Sequence, residues 1–414
     1  MKLMRKFTIR KTHEIYPKLV DLSHNTNNLY NRANFIVRQN FFFNTVKRTD
    51  VRKYIGYYDM DKMFKKHGWE EYRGMLASSA QQCLKGLDSN WKGFFAAIKA
   101  WKKNPEKFLA RPKPPKYKDK GGRSPVIFIG QWMKISNGYA KIPSLGYCFP
   151  WTLSDKINQV RFNPHFDYFV VEVVYTVEEP PLKDDIGLIA AIDLGMNNLA
   201  TLVFSDNSTP MLFDGKHLKS VNRYFNERIA FEKSKLKISR DLHKSNRIKR
   251  LWRKRDNIMN NSLHKISAEI VNQLVSAEVT TLIVGHNKTQ KQDTFGNRLK
   301  DFVQVPIFRL VSILEYKCKL NGIRFIATEE NYTSGTSYLN SELPIKKNYD
   351  KKRRVRRGLF VTNEGFKLNS DVNGAYQIMR KIYPNIEWQG EKDIFRPYKW
   401  IPKRITKITQ NNIG

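Results

Sequence analysis

The chain has 414 residues, with 74 Lys and Arg against 38 Asp and Glu and a formal net charge of +36. Hydrophobic residues make up 41% and aromatics 13%, which excludes wholesale disorder and allows two to four domains. Cys83, Cys148 and Cys318 are far apart with no CxxC pair, no apolar run approaches a membrane span, and the start MKLMRKFTIRKT lacks the apolar block of a secretory signal; a disulfide framework, a cysteine zinc finger and a membrane partner are therefore not expected, and a cytoplasmic, reducing setting is.

Met1 to Thr12 is short, basic and strand-like. Leu19, Leu22, Thr26, Leu29, Ala33 and Ile36 then repeat at helical spacing, as do Leu76, Ala80, Cys83, Leu84, Leu87, Trp91, Phe94, Phe95 and Ile98. Both patterns predict helices that pack on each other, with their aromatics in the core. Pro112, Pro114 and Pro115 end the helical texture and mark a boundary. Beyond them Val126–Ile129 and Tyr168–Tyr175 read as strands, and Asn137-Gly138 as a hairpin turn, together a small β-barrel or sandwich. Glu178 to Asp185 reads as a linker.

The second half alternates. Leu188 to Leu194 and Ala200 to Phe204 are strands, followed by a long polar helical stretch from Lys216 to about Glu278. Thr280–Gly285 and Ile323–Thr328 are buried-type strands flanking a helix opened by Pro306 and closed by Gly322. A last helix carries Asp371, Ala375, Ile378 and Met379. A strand hairpin, later αβ units and acids at strand ends predict an RNase H-like nuclease domain in an α/β multidomain chain.

The positive charge is clustered. Lys99–Arg123 holds ten Lys/Arg and two acids, Lys216–Lys265 sixteen and four, and Lys346–Arg357 eight and one. Such clusters bind phosphates and release counterions, which makes nucleic acid the expected polyanion. The candidate contacts are Arg111, Lys113 and Lys116, then Arg247, Lys249, Arg250, Arg253, Lys254 and Arg255, then Arg353, Arg354, Arg356 and Arg357.

Phosphodiester hydrolysis by two divalent ions needs carboxylates from separate elements to converge. Asp193 ends an apolar strand and is followed by Gly195. Asp371 sits where Ser, Asp and Asn cluster at a helix start, a position that an N-cap would equally favour, with Asn373 two residues on. The blocks AIDLGMNNLATLVF, TLIVGHNKTQKQ, GIRFIATEENYTSGTSYL and RGLFVTNEGFKLNSDVNGAYQIMRK, in this order, resemble the TnpB family, transposon-encoded RNA-guided DNA endonucleases ancestral to the type V CRISPR effectors. QQCLKGLDSNWKGFFAAIKAW and RPKPPKYK extend the resemblance more weakly toward the start.

The resemblance implies a wedge β-barrel from residues 1–12 and 111–184, and a helical recognition domain at 13–110. It also implies a RuvC nuclease domain at 185–414, with basic helices at 216–278 and a small target-binding insert at 334–368. It implies a guide RNA and target double-stranded DNA as partners, a short flanking motif read by the protein, and a two-metal Mg²⁺ site. Two departures stand out. The strand that in most relatives ends in the second catalytic glutamate here ends in Gly285-His286-Asn287. The resemblance to a subset with a relocated acid points to Glu330, with Glu329 as the alternative, because neighbouring strand residues face opposite sides. The family's zinc-ribbon cysteines are also missing: Ser337–Lys367 has neither Cys nor His, so the insert is expected to fold without zinc, around Tyr338, Leu339, Leu359 and Phe360. The expected catalytic and metal-binding set is Asp193, Glu330 and Asp371. The alternative is a nuclease-dead, RNA-guided DNA-binding repressor; a guide-free nuclease and a structural RNA-binding protein are further readings. His286 is given no role, and the oligomeric state is not legible.

Overall fold

A computed structural model describes residues 1–46, 54–153, 155–184, 187–195, 197–240, 245–286, 306–356, 358–388, 390 and 394–401. The chain divides into two units, Met1–Glu178 and Glu179–Gly414. Among the described residues no helix is long and apolar enough to cross a membrane.

In the first unit, β1 (Lys2–Arg10) leads into α1 (Tyr16–Val46), α2 (Tyr57–His67), α3 (Glu70–Arg73) and α4 (Ala77–Lys103). The helical spacing read in α1 and α4 buries Leu29, Ala33 and Val37 against Leu84, Leu87 and Trp91, and α2 adds Met60 and Phe64. The strands that follow are β2 (Val126–Ile129), β3 (Lys134–Ser136), β4 (Tyr139–Ile142), β5 (Tyr147–Pro150), β6 (Ile157–Pro164) and β7 (Tyr168–Thr176). They form a four-stranded sheet in the order β1-β7-β6-β2 and a three-stranded sheet β3-β4-β5. The β3–β4 turn has Asn137 and Gly138 at φ 50° and 75°, the positive values a two-residue hairpin turn demands. Alternation along the strands turns Val126, Phe128, Phe149, Phe162, Phe169, Val171 and Val173 into a shared core.

The second unit is built on one six-stranded sheet. Its strands are β8 (Ile189–Asp193), β9 (Asn198–Phe204), β10 (Met211–Asp214), β11 (Thr281–Gly285), β12 (Arg324–Thr328) and β15 (Tyr398–Trp400), in the order β12-β11-β8-β9-β10-β15. β8, β11 and β12 are parallel neighbours, whereas β8, β9 and β10 form an antiparallel meander. The expected long polar helix is two helices, α5 (Lys216–Arg240) and α6 (Asn246–Ser276), the second capped by Ser245 accepting from Ile248 N–H. α7 (Ile307–Leu320) joins β11 to β12. Sheet alternation assigns the two faces. Ala190, Ile192, Leu202, Leu282 and Val284 pack with Leu263, Ile266 and Ile270 of α6 and Leu310 and Leu314 of α7. Ala191, Val203 and Ile283 pack on the opposite face with Val372, Ala375, Tyr376, Ile378 and Met379 of α8 (Ser370–Ile382).

The described residues of the 334–368 segment hold two short 3-10 turns, Lys346–Asn348 and Lys351–Arg353, and a minimal hairpin, β13 (Phe360–Val361) with β14 (Lys367–Leu368). Side chains hold it together. Tyr338 is buried and stacked on Tyr376 at 4.1 Å, and its hydroxyl donates to Asn207 at 2.9 Å. Burial pushes that phenol up to about 12, so it remains a donor throughout the physiological range. Glu342 accepts from Ser337 N–H and pairs with Arg353. Arg380 is buried and donates to the carbonyls of Tyr338 (3.1 Å), Glu342 (3.3 Å) and Ile386 (2.7 and 3.1 Å). Its guanidinium thus ties two separate backbone segments, the turn at 338–342 and Ile386, to α8. Arg380→Met keeps the apolar stem and removes these charged hydrogen bonds. The Tyr338 and Glu342 carbonyls keep Ser341 N–H and Gln377 Nε2 as donors, but the Ile386 carbonyl loses the guanidinium, so the second unit should be destabilised by about 2 kcal/mol. Urea unfolding followed by tryptophan fluorescence measures this, and a loss below about 1 kcal/mol would contradict the role.

Candidate carboxylate site at the sheet edge

Parallel strands carry their carboxyl ends to the same sheet edge, the edge outside which open α/β sheets bind ligands. In this sheet β8 is parallel to β11 and antiparallel to β9. Asp193 is the last residue of β8. The register pairs Val284 with Ile192 and Gly285 with Thr328, so Asp193, Gly285 and Thr328 lie level along the edge, with Glu330 two residues further on. Residue parity puts Asp193 and Gly285 on the face that α8 covers. The first turn of α8 brings Asp371 to the same edge, behind an N-cap in which Asn369 accepts from the N–H groups of Asp371 and Val372.

Close approach of α8 depends on two small residues. A Cβ added at Gly374 would lie 2.8 Å from Asp193 Oδ2. A Cβ at Gly285 would lie 2.4 Å from Ile378 Cδ1, 2.9 Å from Glu330 Cγ and 3.0 Å from Glu330 Oε1. The volume that a side chain on β11 would occupy is therefore taken by Glu330 and Ile378. Glu329 turns the other way: its side chain is 66% exposed and pairs with Lys381 at 3.5 Å.

Burial holds the Asp193 carboxyl well above its usual range. The negative charges of Glu330 and Asp371 push it the same way, while Arg354 and the Leu194 N–H pull it back. Burial also raises Glu330, against the pull of Lys381. Asp371 Oδ2 accepts from Asn198 at 2.8 Å, and its Oδ1 faces the Arg354 guanidinium at 3.5 Å. Among the described residues no three His, Cys, Asp or Glu side chains close into a ready cation cage; Asp371 is held instead by Arg354 and Asn198. The donor set fits a hard divalent ion nonetheless. It is three carboxylates with no sulfur or imidazole, two of them disfavoured as anions by burial, which a bound cation would relieve.

The other expected contacts separate by environment. Arg111, Lys113, Lys116, Lys249, Arg250, Lys254 and Arg356 are exposed, and Arg253 is half-buried. Arg247 pairs with Glu232 at 3.1 Å. Two differ from the expectation of a phosphate-facing role. Arg255 is buried between α5 and α6, where it donates twice to Asn222 Oδ1 and packs on Trp252. Arg353 closes the insert through Glu342 and Asn363. In both, a nearby internal acceptor captures a guanidinium that charge counting assigns to solvent. Arg357 lies outside the described residues. Asn373 is buried, accepts from Tyr338 N–H and donates to the Thr336 carbonyl, which fixes the loop after Glu330 to α8. Asn198 and the turn of Arg354 toward Asp371 lie outside the sequence expectation; the adjacent Asn197-Asn198 opening β9 is the one sequence signal for the former.

A family described as probable transposase (OrfB_IS605) matches residues 172–291, and the Cas12f1-like TNB domain matches residues 308–378. The chain is 24% identical over 403 residues to the TnpB-like protein ORF457 of Acidianus two-tailed virus, covering 88% of this chain and 82% of that protein. It is 25% identical over 317 residues to the CRISPR-associated endodeoxyribonuclease Cas12f2 of a Micrarchaeota archaeon, covering 73% of this chain but 54% of that one. Among solved structures, a Cas12f1–sgRNA–target DNA complex matches with a TM-score of 0.56 at 13% identity over 88% of this chain and 82% of its own, a likeness of fold alone. Two family matches in chain order and a viral protein aligned over most of both chains make this chain similar in sequence to the TnpB-like and Cas12f-like proteins, and its mixed α/β fold is similar to that of the Cas12f1 complex.

Proposed function

We propose that the chain is an RNA-guided DNA endonuclease of a transposon-type element. In this reading residues 185–414 are an RNase H-like RuvC nuclease domain carrying a target-binding insert at 334–368. Residues 1–12 and 111–184 are a wedge domain, and 13–110 a recognition domain. The single observation that supports it most is the convergence of Asp193, Glu330 and Asp371 on the carboxyl edge of three parallel strands. The partners are a guide RNA and target double-stranded DNA, with sequence read by base pairing and the protein gripping backbone shape.

Asp193, Glu330 and Asp371 would hold divalent cations, Mg²⁺ by preference, and no zinc is required by the insert. Bound there, such ions supply Lewis acidity and a water acidified toward neutral pH. The chain's own residues do the rest. Asn198 orients Asp371, Gly374 lets α8 seat against Asp193, and Asn373 fixes the loop that aims Glu330 inward. Arg354, exposed on one side and paired with Asp371 on the other, is placed to meet a phosphate and exchange its carboxylate partner for it.

A second reading, a nuclease-dead RNA-guided repressor, draws on one observation: β11 ends in Gly285 rather than in an acid. The test for both is the full chain purified with its co-expressed RNA and supplied with matched and mismatched plasmids in Mg²⁺. Cutting confined to the matched plasmid and abolished by EDTA is the expected result. Guided binding without cutting would establish the repressor, and cutting that survives RNase treatment a guide-free nuclease.

A further inference from the structure

The proline-broken basic segment after α4 reads in sequence as a boundary, and in the fold it is laid along α1 and fixed there in register. Side chains of one α1 face take its backbone in turn. Arg38 Nη1 donates to the Pro115 carbonyl at 2.8 Å, and Asn34 Nδ2 to the carbonyls of Pro115 (3.2 Å) and Lys116 (3.3 Å). Asn31 closes both sides of Lys118, donating to its carbonyl at 3.0 Å and accepting from its N–H at 2.8 Å. Asn27 donates to the Asp119 carbonyl at 3.0 Å, and His24 Nδ1 lies 3.0 Å from the Gly122 carbonyl. The positions 24, 27, 31, 34 and 38 recur at helical spacing, which makes them one stripe. Asn is a poor residue for a helix interior because it competes for backbone hydrogen bonds, so three of them on one stripe call for a compensating role.

The strap also sorts its side chains. Pro112, Pro114, Pro115 and Lys118 are half-buried, Lys118 over the Tyr30 ring at 4.1 Å with its Nζ on Ser124 Oγ. Arg111, Lys113, Lys116 and Lys120 face outward. Among the described residues none of these four has a carboxylate partner, and Asp119 is the one acid exposed with them. Tyr117 is 47% exposed, and one side of its ring is backed by the Arg38 guanidinium at 5.3 Å. Proline locks its own φ and holds the preceding residue extended, which restrains residues 111–115. The α1 side chains hold the backbone of Pro115, Lys116, Lys118 and Asp119, so these cations lie along a held backbone beside the Tyr117 ring. Cations alone would suit any polyanion; a cation row with a presented ring suits unpaired bases on a phosphate chain.

We propose that residues 111–120 are a preorganised grip for single-stranded nucleic acid, with Asn27, Asn31 and Asn34 as its positioning residues. This rests on the nucleic-acid partner of the reading above and deepens it, but makes no use of the carboxylate site.

The test is fluorescence anisotropy of the full chain, stripped of RNA, with a labelled 20-nucleotide single-stranded RNA and a 20-base-pair DNA duplex across a salt series. Lys113→Gln/Lys116→Gln/Lys120→Gln changes only exposed side chains. It should weaken RNA binding at least about tenfold and lower the slope of log affinity against log salt by about 2. Tyr117→Ala should weaken RNA binding about tenfold and leave duplex binding within about twofold. Asn31→Ala/Asn34→Ala keeps every cation yet should lower the salt slope by about 1, because a loosened strap meets fewer phosphates at once. A mere loss of folded protein would scale binding equally at all salts and leave the slope alone. An unchanged slope in the triple variant would overturn the grip, and an unchanged slope in the Asn pair would overturn the positioning role. Equal loss on RNA and duplex in Tyr117→Ala would overturn the single-strand assignment. Failure of wild-type cleavage would bear on the nuclease reading and leave these slopes standing.

Discussion

Asp193→Asn should lower guided DNA cutting by about 10³-fold or more, roughly 4 kcal/mol of barrier, with target binding within about twofold of wild type. The substitution keeps the shape that fits beneath Gly374 and removes one negative charge, so a loss cannot be ascribed to disrupted packing of α8. Two readouts besides cutting accompany it. The folded-state pKa of Asp193 is raised, so its charged form opposes folding once the pH exceeds the ordinary Asp value. In EDTA at neutral pH, Asp193→Asn should therefore melt higher than wild type, and the gap should close as the pH falls below about 4, where both states of the wild type are protonated. Mg²⁺ should raise the melting temperature of wild type and not of the variant, because an ion that binds only the folded state stabilises it in proportion to occupancy. Full cutting by Asp193→Asn, or an equal Mg²⁺ response in both proteins, would remove Asp193 from the site.

Much of this arrangement is legible in the linear chain. Asp193 stands out because an apolar run ends in an acid, and strands built into a parallel sheet read as such runs. Asp371 stands out because Asn369-Ser-Asp is a helix start. Turn chemistry is equally local, so Asn137-Gly138 marks its hairpin. The remainder lies in pairs distant along the chain. Asn198 reaches Asp371 across 173 positions, and Asn34 reaches Pro115 across 81; no spacing rule links them. Lys216–Arg240 and Asn246–Ser276 share one polar composition, so two helices resemble one. Arg255 and Arg353 belong to charge clusters, and clustering carries no signal about which guanidinium an internal Asn or Glu will capture. β10 and β15, four and three residues long, are too short for periodicity to declare. Glu330 was accessible only through the missing acid at Gly285 together with the family resemblance; the close approach between the two residues belongs to the fold.

That close approach makes Glu330 and Gly285 exchangeable in a way that can be tested. Glu330→Ala should reduce cutting by about 10³-fold, on the scale of losing one electrostatic partner of the reacting phosphate. Glu329→Ala should stay within about twofold of wild type, since that carboxylate is exposed and turned toward Lys381. Gly285→Glu alone places a Cβ where Glu330 Cγ and Ile378 Cδ1 already lie and adds a further anion beside Asp193, so it should cut at least about tenfold less. In Gly285→Glu/Glu330→Ala the competing side chain is gone, and the new glutamate projects from the residue level with Asp193 on the adjacent parallel strand. The new Cβ then requires the Ile378 side-chain tip to shift, and that is the end of a flexible chain. The double variant should recover to within about tenfold of wild type, far above either loss combined. Such non-additivity is the signature of two positions serving one function. If Glu330→Ala and Glu329→Ala both cut normally, the acid has not moved to the segment after β12 at all; if the double variant is as inactive as Glu330→Ala, the backbone after β12, and not the carboxylate alone, sets the geometry of the edge.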